Sequence, residues 1–415
     1  MGQQYHKIFP IKTATACQSK WTWSTIWLNK GQTSSCHRVN SVPLDPDNFG
    51  NFHNLPKKIQ DREQMLQGQW PTGGCEYCQK IELAGGWSDR QHNNSIGGQY
   101  PLELDLDPTL THVKPRIVEI FARNTCNLSC IYCAEDLSSQ IEHENKKYGY
   151  AGGLVSKSVI LTKDQNSDYF NKFLSWLEDN IQGLLRLHLL GGETFVQHDL
   201  IEAVFDIIER KPNPDLQLNI FSNFNAPKKY WYEYTGRIKD YCANGNLGRF
   251  DLTCSVDCWG PEQEYVRSGL DLTLLEEYLA WASEQSEDWL YLNVNQTVSN
   301  MTIKTMPALI EKIKHYSKHR HIGHYFMLVD GDRYHHPEIF DYSMWSDDFK
   351  HILDMMPKET SEDKETLLRM QGIQKRLEAN CQSDRIEIDK LHAYLDELDR
   401  RRNTNWRDLF PYLIV

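Results

Sequence analysis

Between residues 106 and 340 the chain alternates short apolar runs, rich in β-branched and aromatic residues, with longer stretches whose apolar positions recur every three or four residues. The short runs predict six strands: Arg116–Phe121, Leu185–Leu190, Leu216–Ser222, Arg249–Val256, Leu290–Val298 and His321–Val329. The stretches Tyr169–Leu177, Leu200–Ile208, Leu272–Ala282 and Ile303–Tyr316 lie between them and predict amphipathic helices. Such alternation predicts parallel strands joined by helical crossovers. Six units are too few for a complete eight-unit barrel, so an open six-unit barrel or a doubly wound sheet fits. In either, ligands gather at the carboxyl ends of the strands. Residues 1–105 are rich in Gly, Asn, Gln, Trp and Cys and show little sustained periodicity, which predicts an irregular module. Residues 341–415 are charged and helical, and end in the apolar Phe410-Pro411-Tyr412-Leu413-Ile414-Val415. The mixed charges from Glu362 to Arg376, and then Arg400-Arg401-Arg402, predict a solvated helical pair packed on the core.

Composition narrows the class. Lys plus Arg number 45 against 57 Asp plus Glu, a formal charge of −12. That balance disfavours a nucleic-acid coat or an anionic membrane as partner, because wrapping phosphates needs a positive surface. The N-terminal Met1-Gly2-Gln3-Gln4-Tyr5-His6 matches neither a signal peptide nor a myristoylation site. No apolar run approaches the ~18 residues of a membrane helix. Eleven cysteines, an odd number without an export signal, point to metal or redox use in the cytoplasm rather than to a disulfide framework.

Directly after the first strand stand Cys126-Asn-Leu-Ser-Cys130-Ile-Tyr-Cys133. Thiolates are the ligands that iron–sulfur clusters and zinc prefer. Three thiolates on a four-iron cluster leave one iron open, and an open position marks a catalytic metal. The plainer alternative is a zinc site that borrows a distant fourth ligand. Other strand ends carry Gly191-Gly192-Glu193, Ser222-Asn223, Ser255-Val256-Asp257 and Glu264-Tyr265-Val266-Arg267. Each alone reads as a turn or a cap. Together they offer a carboxylate for an ammonium and an arginine for a carboxylate, which suits an amino-acid-like ligand.

On these residues the chain resembles the radical S-adenosylmethionine (SAM) enzymes over about residues 115 to 340. Cys126, Cys130 and Cys133 match that family's cysteine motif, with the aromatic Tyr132 before the last cysteine. The resemblance implies a partial (β/α)6 barrel and a 4Fe–4S cluster that binds SAM. It implies that Gly191, Gly192 and Glu193 contact the methionine amino group. Ser222 and Ser255 become candidate ribose or carboxylate contacts, and Arg267 the partner of the SAM carboxylate. In such enzymes the reduced cluster cleaves SAM, and the 5′-deoxyadenosyl radical abstracts a substrate hydrogen. An electron donor such as flavodoxin or ferredoxin is the implied partner.

Upstream, Cys17, Cys36, Cys75 and Cys78 form a second set that suits zinc or a fully ligated cluster. With Gly31, Arg62–Gly68, Glu82 and Gly85-Gly86-Trp87-Ser88-Asp89-Arg90, this set is similar to the twitch or SPASM auxiliary 4Fe–4S module of radical SAM enzymes. There the module follows the barrel, whereas here it precedes it. The resemblance divides the chain into 1–105 (auxiliary module), 106–340 (radical SAM core) and 341–415 (helical extension). Cys242, Cys254, Cys258 and Cys381 read as buried small side chains, with a substrate-side thiol role for Cys258 as the alternative. Asp330-Gly-Asp332-Arg333-Tyr334-His335-His336-Pro337 is either an acid–base loop over the barrel mouth or a polar turn, and no residue is singled out as catalytic. Asn293 and Asn295 alternate on the fifth strand and would both face the interior. The auxiliary module makes peptide or protein side-chain oxidation, crosslinking or epimerisation the first substrate expectation. The alternatives are a small-molecule dehydrogenase or rearrangement enzyme and a non-catalytic iron–sulfur electron-transfer protein.

Overall fold

The computed structural model describes residues 13–83, 85, 87–94, 110–151, 154–155 and 157–415. The N-terminal hexapeptide and Gly86 of the second motif lie outside the described residues. Three strands come first: β1 (Trp23–Trp27), β2 (Gln32–Ser34) and β3 (Val42–Pro43). Then follow β4 (Ile117–Phe121), β5 (Ser129–Cys130), β6 (Arg186–Leu190), β7 (Asn213–Ser222), β8 (Leu247–Ser255), β9 (Arg267–Ser268), β10 (Leu290–Val298) and β11 (Ile322–Leu328). The six predicted strands are all present, as β4, β6, β7, β8, β10 and β11.

Nine strands form one sheet in the order β11-β10-β8-β7-β6-β4-β1-β2-β3, and β5 pairs with β9 in a separate ribbon. From β1 across to β11 every neighbouring pair is parallel, while β2 and β3 are antiparallel additions. From β4 onward each strand lies beside its predecessor, so the order never reverses and the doubly wound alternative falls away. Right-handed crossovers that always step in one direction put the helices on one face. That face is apolar: Val118, Ile120, Leu187, Leu189, Leu218, Ile220, Leu252 and Val294 share a core with Phe173, Val204, Ile238 and Leu275 from the helices. The opposite, inner face carries Glu119, His188, Asn219 and Asp251 as successive register partners.

The N-terminal region departs from the expected irregular module, because β1 to β3 extend the main sheet past its first core strand. The sequence Trp23-Ser-Thr-Ile-Trp27 hides this strand: Ser24 and Thr25 are both buried, so polarity does not alternate with burial. Three expected helices lie within Lys163–Asn180, His198–Arg210 and Leu272–Ser283, and the fourth begins later than expected, at Met306–Tyr316 after a 3-10 turn over Ile303–Thr305. A further crossover helix, Lys228–Ala243, buries an aromatic stripe that includes Trp231, stacked on Tyr278 at 4.1 Å.

The C-terminal helices also depart from expectation. Helix Arg385–Arg402 buries Ile388, Leu391, Tyr394, Leu395 and Leu398. Of its terminal arginines Arg400 is exposed as expected, but the Arg401 side chain is 2% exposed and pairs with Glu144 at 3.3 Å, and Arg402 reaches the same carboxylate at 3.1 Å. Tyr394 donates to the Ile131 carbonyl at 2.5 Å, so this helix braces the cysteine loop from behind. Among the described residues no helix is long and apolar enough to cross a membrane.

Arg62, fully buried on helix Pro56–Leu66, knits the N-terminal region together. It donates to the carbonyls of Thr111 (2.7 Å), Lys20 (2.9 Å) and His53 (3.2 Å), and to Asn54 Oδ1 (2.8 Å). Arg62→Met strands those acceptors without donors and is expected to cost about 3 kcal/mol or more. Denaturant unfolding followed by tryptophan fluorescence measures this; a loss below about 1 kcal/mol would show that water replaces the guanidinium.

Candidate functional site

Cys126 lies five residues past the end of β4. Its amide donates to Ser139 Oγ (3.1 Å), and its thiol accepts from the Leu128 amide (3.4 Å). Ser138 caps helix Ser139–Tyr148 and donates to the Leu128 carbonyl (2.7 Å), closing the loop on the helix that follows it. Cys130 stands in β5 opposite Arg267 of β9, and the Cys133 amide donates back to the Cys130 carbonyl (3.1 Å). The three thiols lie within electrostatic reach of one another. Burial pushes Cys126 up to about 12 and raises Cys130 and Cys133, and the neighbouring thiols push Cys126 and Cys133 further.

The glycine pair docks against this loop by backbone. Gly191 and Gly192 have φ of +86° and +57°, and a Cβ on Gly192 would stand 2.1 Å from the Thr125 carbonyl oxygen. The Glu193 amide donates to that same carbonyl (2.9 Å). Only glycine allows the loops after β4 and β6 to meet this closely.

The Glu193 side chain turns inward. Fully buried, its carboxylate accepts from the Asn223 amide (2.6 Å), Ser222 Oγ (2.9 Å) and the Phe195 amide (3.1 Å). Ser222 in turn accepts from the amide of Phe224, a buried aromatic at φ +53°. Both residues thus brace the strand ends. Asn223 Nδ2 donates to Asn127 (2.9 Å), which ties the end of β7 to the cysteine loop.

Asp257, which sequence reasoning left without a role, organises the opposite side. This fully buried carboxylate accepts Arg267 Nε (2.8 Å) and Nη2 (2.9 Å), the Thr297 amide (2.9 Å) and the Tyr132 hydroxyl. Two of Arg267's three nitrogens are thus committed before any ligand arrives. The Ser-x-Asp at a strand end is the signal that marks it. Ser255 is half-buried on the inner face opposite Asn295, and Asn293 and Asn295 both face inward as expected. The Asp330–Pro337 loop divides: Asp330 to Arg333 are exposed, while Tyr334 and His335 are buried against Tyr394. Cys254 and Cys258 are fully buried, as expected of small core side chains, whereas Cys242 is half-buried and Cys381, on the surface after helix Ser361–Glu378, is exposed against that expectation.

The second set also converges. Cys17 precedes helix Gln18–Thr22, Cys36 follows β2, and Cys75 and Cys78 flank the start of helix Glu76–Leu83. A Cβ on Gly74 would stand 2.2 Å from the Arg38 carbonyl oxygen, so the 74–78 and 36–39 segments meet backbone to backbone. Arg90 links Ala16 (3.0 Å) to Glu82 (2.6 Å). Cys17 lies within electrostatic reach of Cys36, Cys75 and Cys78, and Lys20 beside three of them partly offsets the effect of burial. Burial pushes Cys36 up to about 12 and Cys75 up to about 11. All the thiols are free. Register places this set at the other end of the sheet: Cys17 comes before β1, and β2 runs antiparallel to it toward Cys36.

Among the described residues no three His, Cys, Asp or Glu side chains stand close enough to share one metal ion. Cavities of about 590 and 550 Å³ lie among the C-terminal helices, and neither is lined by a residue of either cysteine set. No protein-family model matches the chain, and no curated protein matches its sequence.

Burial pushes the Glu193 carboxyl from 4.5 up to about 7, against the three donors that pull it down. The native state therefore holds this proton more tightly than the unfolded chain does. The resulting stability is fully present below about pH 4.5 and is lost as pH rises through about 7. Glu193→Gln should abolish this dependence, shifting the stability difference by about 3 kcal/mol toward the variant between those limits. Unfolding free energies of both proteins at a series of pH values check it; a constant difference would mean that the donors win and Glu193 is ionised throughout.

Proposed function

We propose that the chain is a radical SAM enzyme whose sheet from β4 to β11 is the partial (β/α)6 barrel of that class. The observation that carries this reading is the convergence of the Cys126, Cys130 and Cys133 thiols at the carboxyl end of the first core strand, against the backbone of Gly191 and Gly192. Those three cysteines would hold the SAM-binding 4Fe–4S cluster; Cys17, Cys36, Cys75 and Cys78 would hold a second. Such a cluster with SAM bound would supply the chemistry of reductive SAM cleavage and hydrogen-atom abstraction from the substrate.

Every cysteine on a 4Fe–4S cluster binds its own iron, so the three thiols of the first set would leave one iron without a protein ligand and the four of the second set would not. Around the open iron, this chain's residues shape the pocket. Gly191 and Gly192 leave backbone where side chains would intrude, Arg267 is aimed by Asp257 and Tyr132, and Ser255 is exposed to the inner face. Glu193 and Ser222 act through the loops they fix. The helix Arg385–Arg402 keeps the cysteine loop in place through Tyr394 and Arg401. The reaction is an oxidation, crosslink or epimerisation of a peptide side chain, and the N-terminal module assists as an auxiliary electron site.

Anaerobic reconstitution tests this. About eight irons per chain, no zinc, and 5′-deoxyadenosine after dithionite and SAM are expected. Cys126→Ala should lose about four irons and all deoxyadenosine formation. Cys75→Ala should lose iron yet still cleave SAM. Reduced clusters that form no deoxyadenosine would refute the enzyme reading in favour of electron transfer.

A further inference from the structure

The inner face of the sheet carries a polar row one layer below the strand ends. Glu119, His188, Asn219 and Asp251 are partners across β4, β6, β7 and β8, and each is at most 6% exposed. Residues above and beside them are half-buried, among them Trp27, Phe121, Leu190, Phe221 and Asn293, whereas the helix-covered face is closed. The inner face is therefore less tightly covered above the row than the helix-packed face, while the Trp23 ring lies 5.4 Å from His188.

The two carboxylates of the row are already answered. Glu119 accepts from His37 at 3.0 Å and Thr25 Oγ1 at 3.0 Å. Asp251 accepts Arg249 Nε at 2.6 Å and Nη2 at 3.0 Å, with Arg186 at 3.8 Å. Between these pairs, His188 has both ring nitrogens buried without a hydrogen-bond partner, and Asn219 Oδ1 is in the same state. A buried polar atom without a partner costs about 1–3 kcal/mol, so such atoms in register call for an explanation. Burial holds His188 at about 4, hence neutral at pH 7, with one ring nitrogen donating and the other accepting.

We propose that His188 and Asn219 bind a carboxamide or peptide amide of the substrate, the imidazole donating to its carbonyl and Asn219 Oδ1 accepting its N–H. An amide is neutral, matching a row whose charges are internally paired, and it places a donor and an acceptor side by side for two side chains on adjacent strands. A carboxylate would meet Glu119 and Asp251 on either side, and a cation would leave the imidazole donor unused. The apolar layer of Phe121, Leu190 and Phe221 sits two residues, or ~7 Å, above the row, so the substrate's hydrocarbon lies between its amide and the Cys126 end. The substrate class thus deepens the radical SAM reading and rests on it, but the binding site can be tested without cluster or SAM.

The test is a titration of the full chain, labelled in its histidine rings, with three isosteric probes: acetamide, acetate and acetamidinium. The His188 resonances, identified by their loss in His188→Phe, should shift saturably with acetamide and not with the other two. Because the phenyl ring removes two unpartnered nitrogens, His188→Phe should melt at or above the parent temperature. No acetamide shift, equal shifts with all three probes, or a variant that melts below the parent would each overturn the proposal; the last would mean that buried water already satisfies the imidazole. Failure to form deoxyadenosine would refute the radical reading and leave this result standing.

Discussion

One-sided winding of a parallel sheet governs this molecule. Each crossover from β4 to β11 steps the same way, so helices cover a single face and the apolar residues of every core strand collect there. The other face has no helical layer to bury against and must curl toward itself or be filled. It retains Glu119, His188, Asn219 and Asp251 at matched heights, in strands whose outward positions are apolar. Polar side chains there are tolerable only where partners or a ligand meet them. The same winding stacks all the core carboxyl ends on one rim, where the cysteine loop, the glycine pair and the Asp257–Arg267 pair meet.

Backbone docking, rather than side-chain coordination, sets the cysteines in place. Gly192 against Thr125 and Gly74 against Arg38 do the same work in two unrelated loops: each brings main chains closer than any Cβ allows. The thiols so gathered are pushed up by burial and by one another. Crowded protonated thiols gain nothing from proximity, since they are poor hydrogen-bond partners and repel once ionised. The loops therefore hold a thiol geometry that no bond between the cysteines maintains.

The six core strands and four of the crossover helices were legible because their apolar periods match their burial. The helix Lys228–Ala243 was not, since Trp231, Tyr234 and Tyr241 form its buried stripe and aromatic residues read equally well as strand. Strand β1 was missed because Ser24 and Thr25 are buried polar residues, satisfied by His53 and Glu119 from remote parts of the chain. Both cysteine sets were legible as spacings. That Glu193 and Ser222 turn on each other, and that Arg267 is fixed by Asp257, depends on pairings across 29 and 10 residues that no local pattern encodes. The inner row had a visible trace, a polar residue in the middle of each of β4, β6, β7 and β8, but its meaning depends on register.

Register also answers how an N-terminal module relates to the rim. Because β1 runs parallel to β4 with Trp23 beside Ile117 and Trp27 beside Phe121, the chain before β1 lies at the opposite end from Cys126. Strand β2 returns antiparallel, so Cys36 lies at that same far end, and the adjacent His37 reaches Glu119 on the inner row. The two thiol sets are therefore separated by at least the length of β4, about 15 Å, with the inner polar row between them. On the radical SAM reading, a substrate whose amide rests on His188 and Asn219 has the site of hydrogen removal on one side and the auxiliary thiols on the other. The N-terminal region thus joins the sheet edge beside β4 and carries its thiols at the end of the sheet away from Cys126.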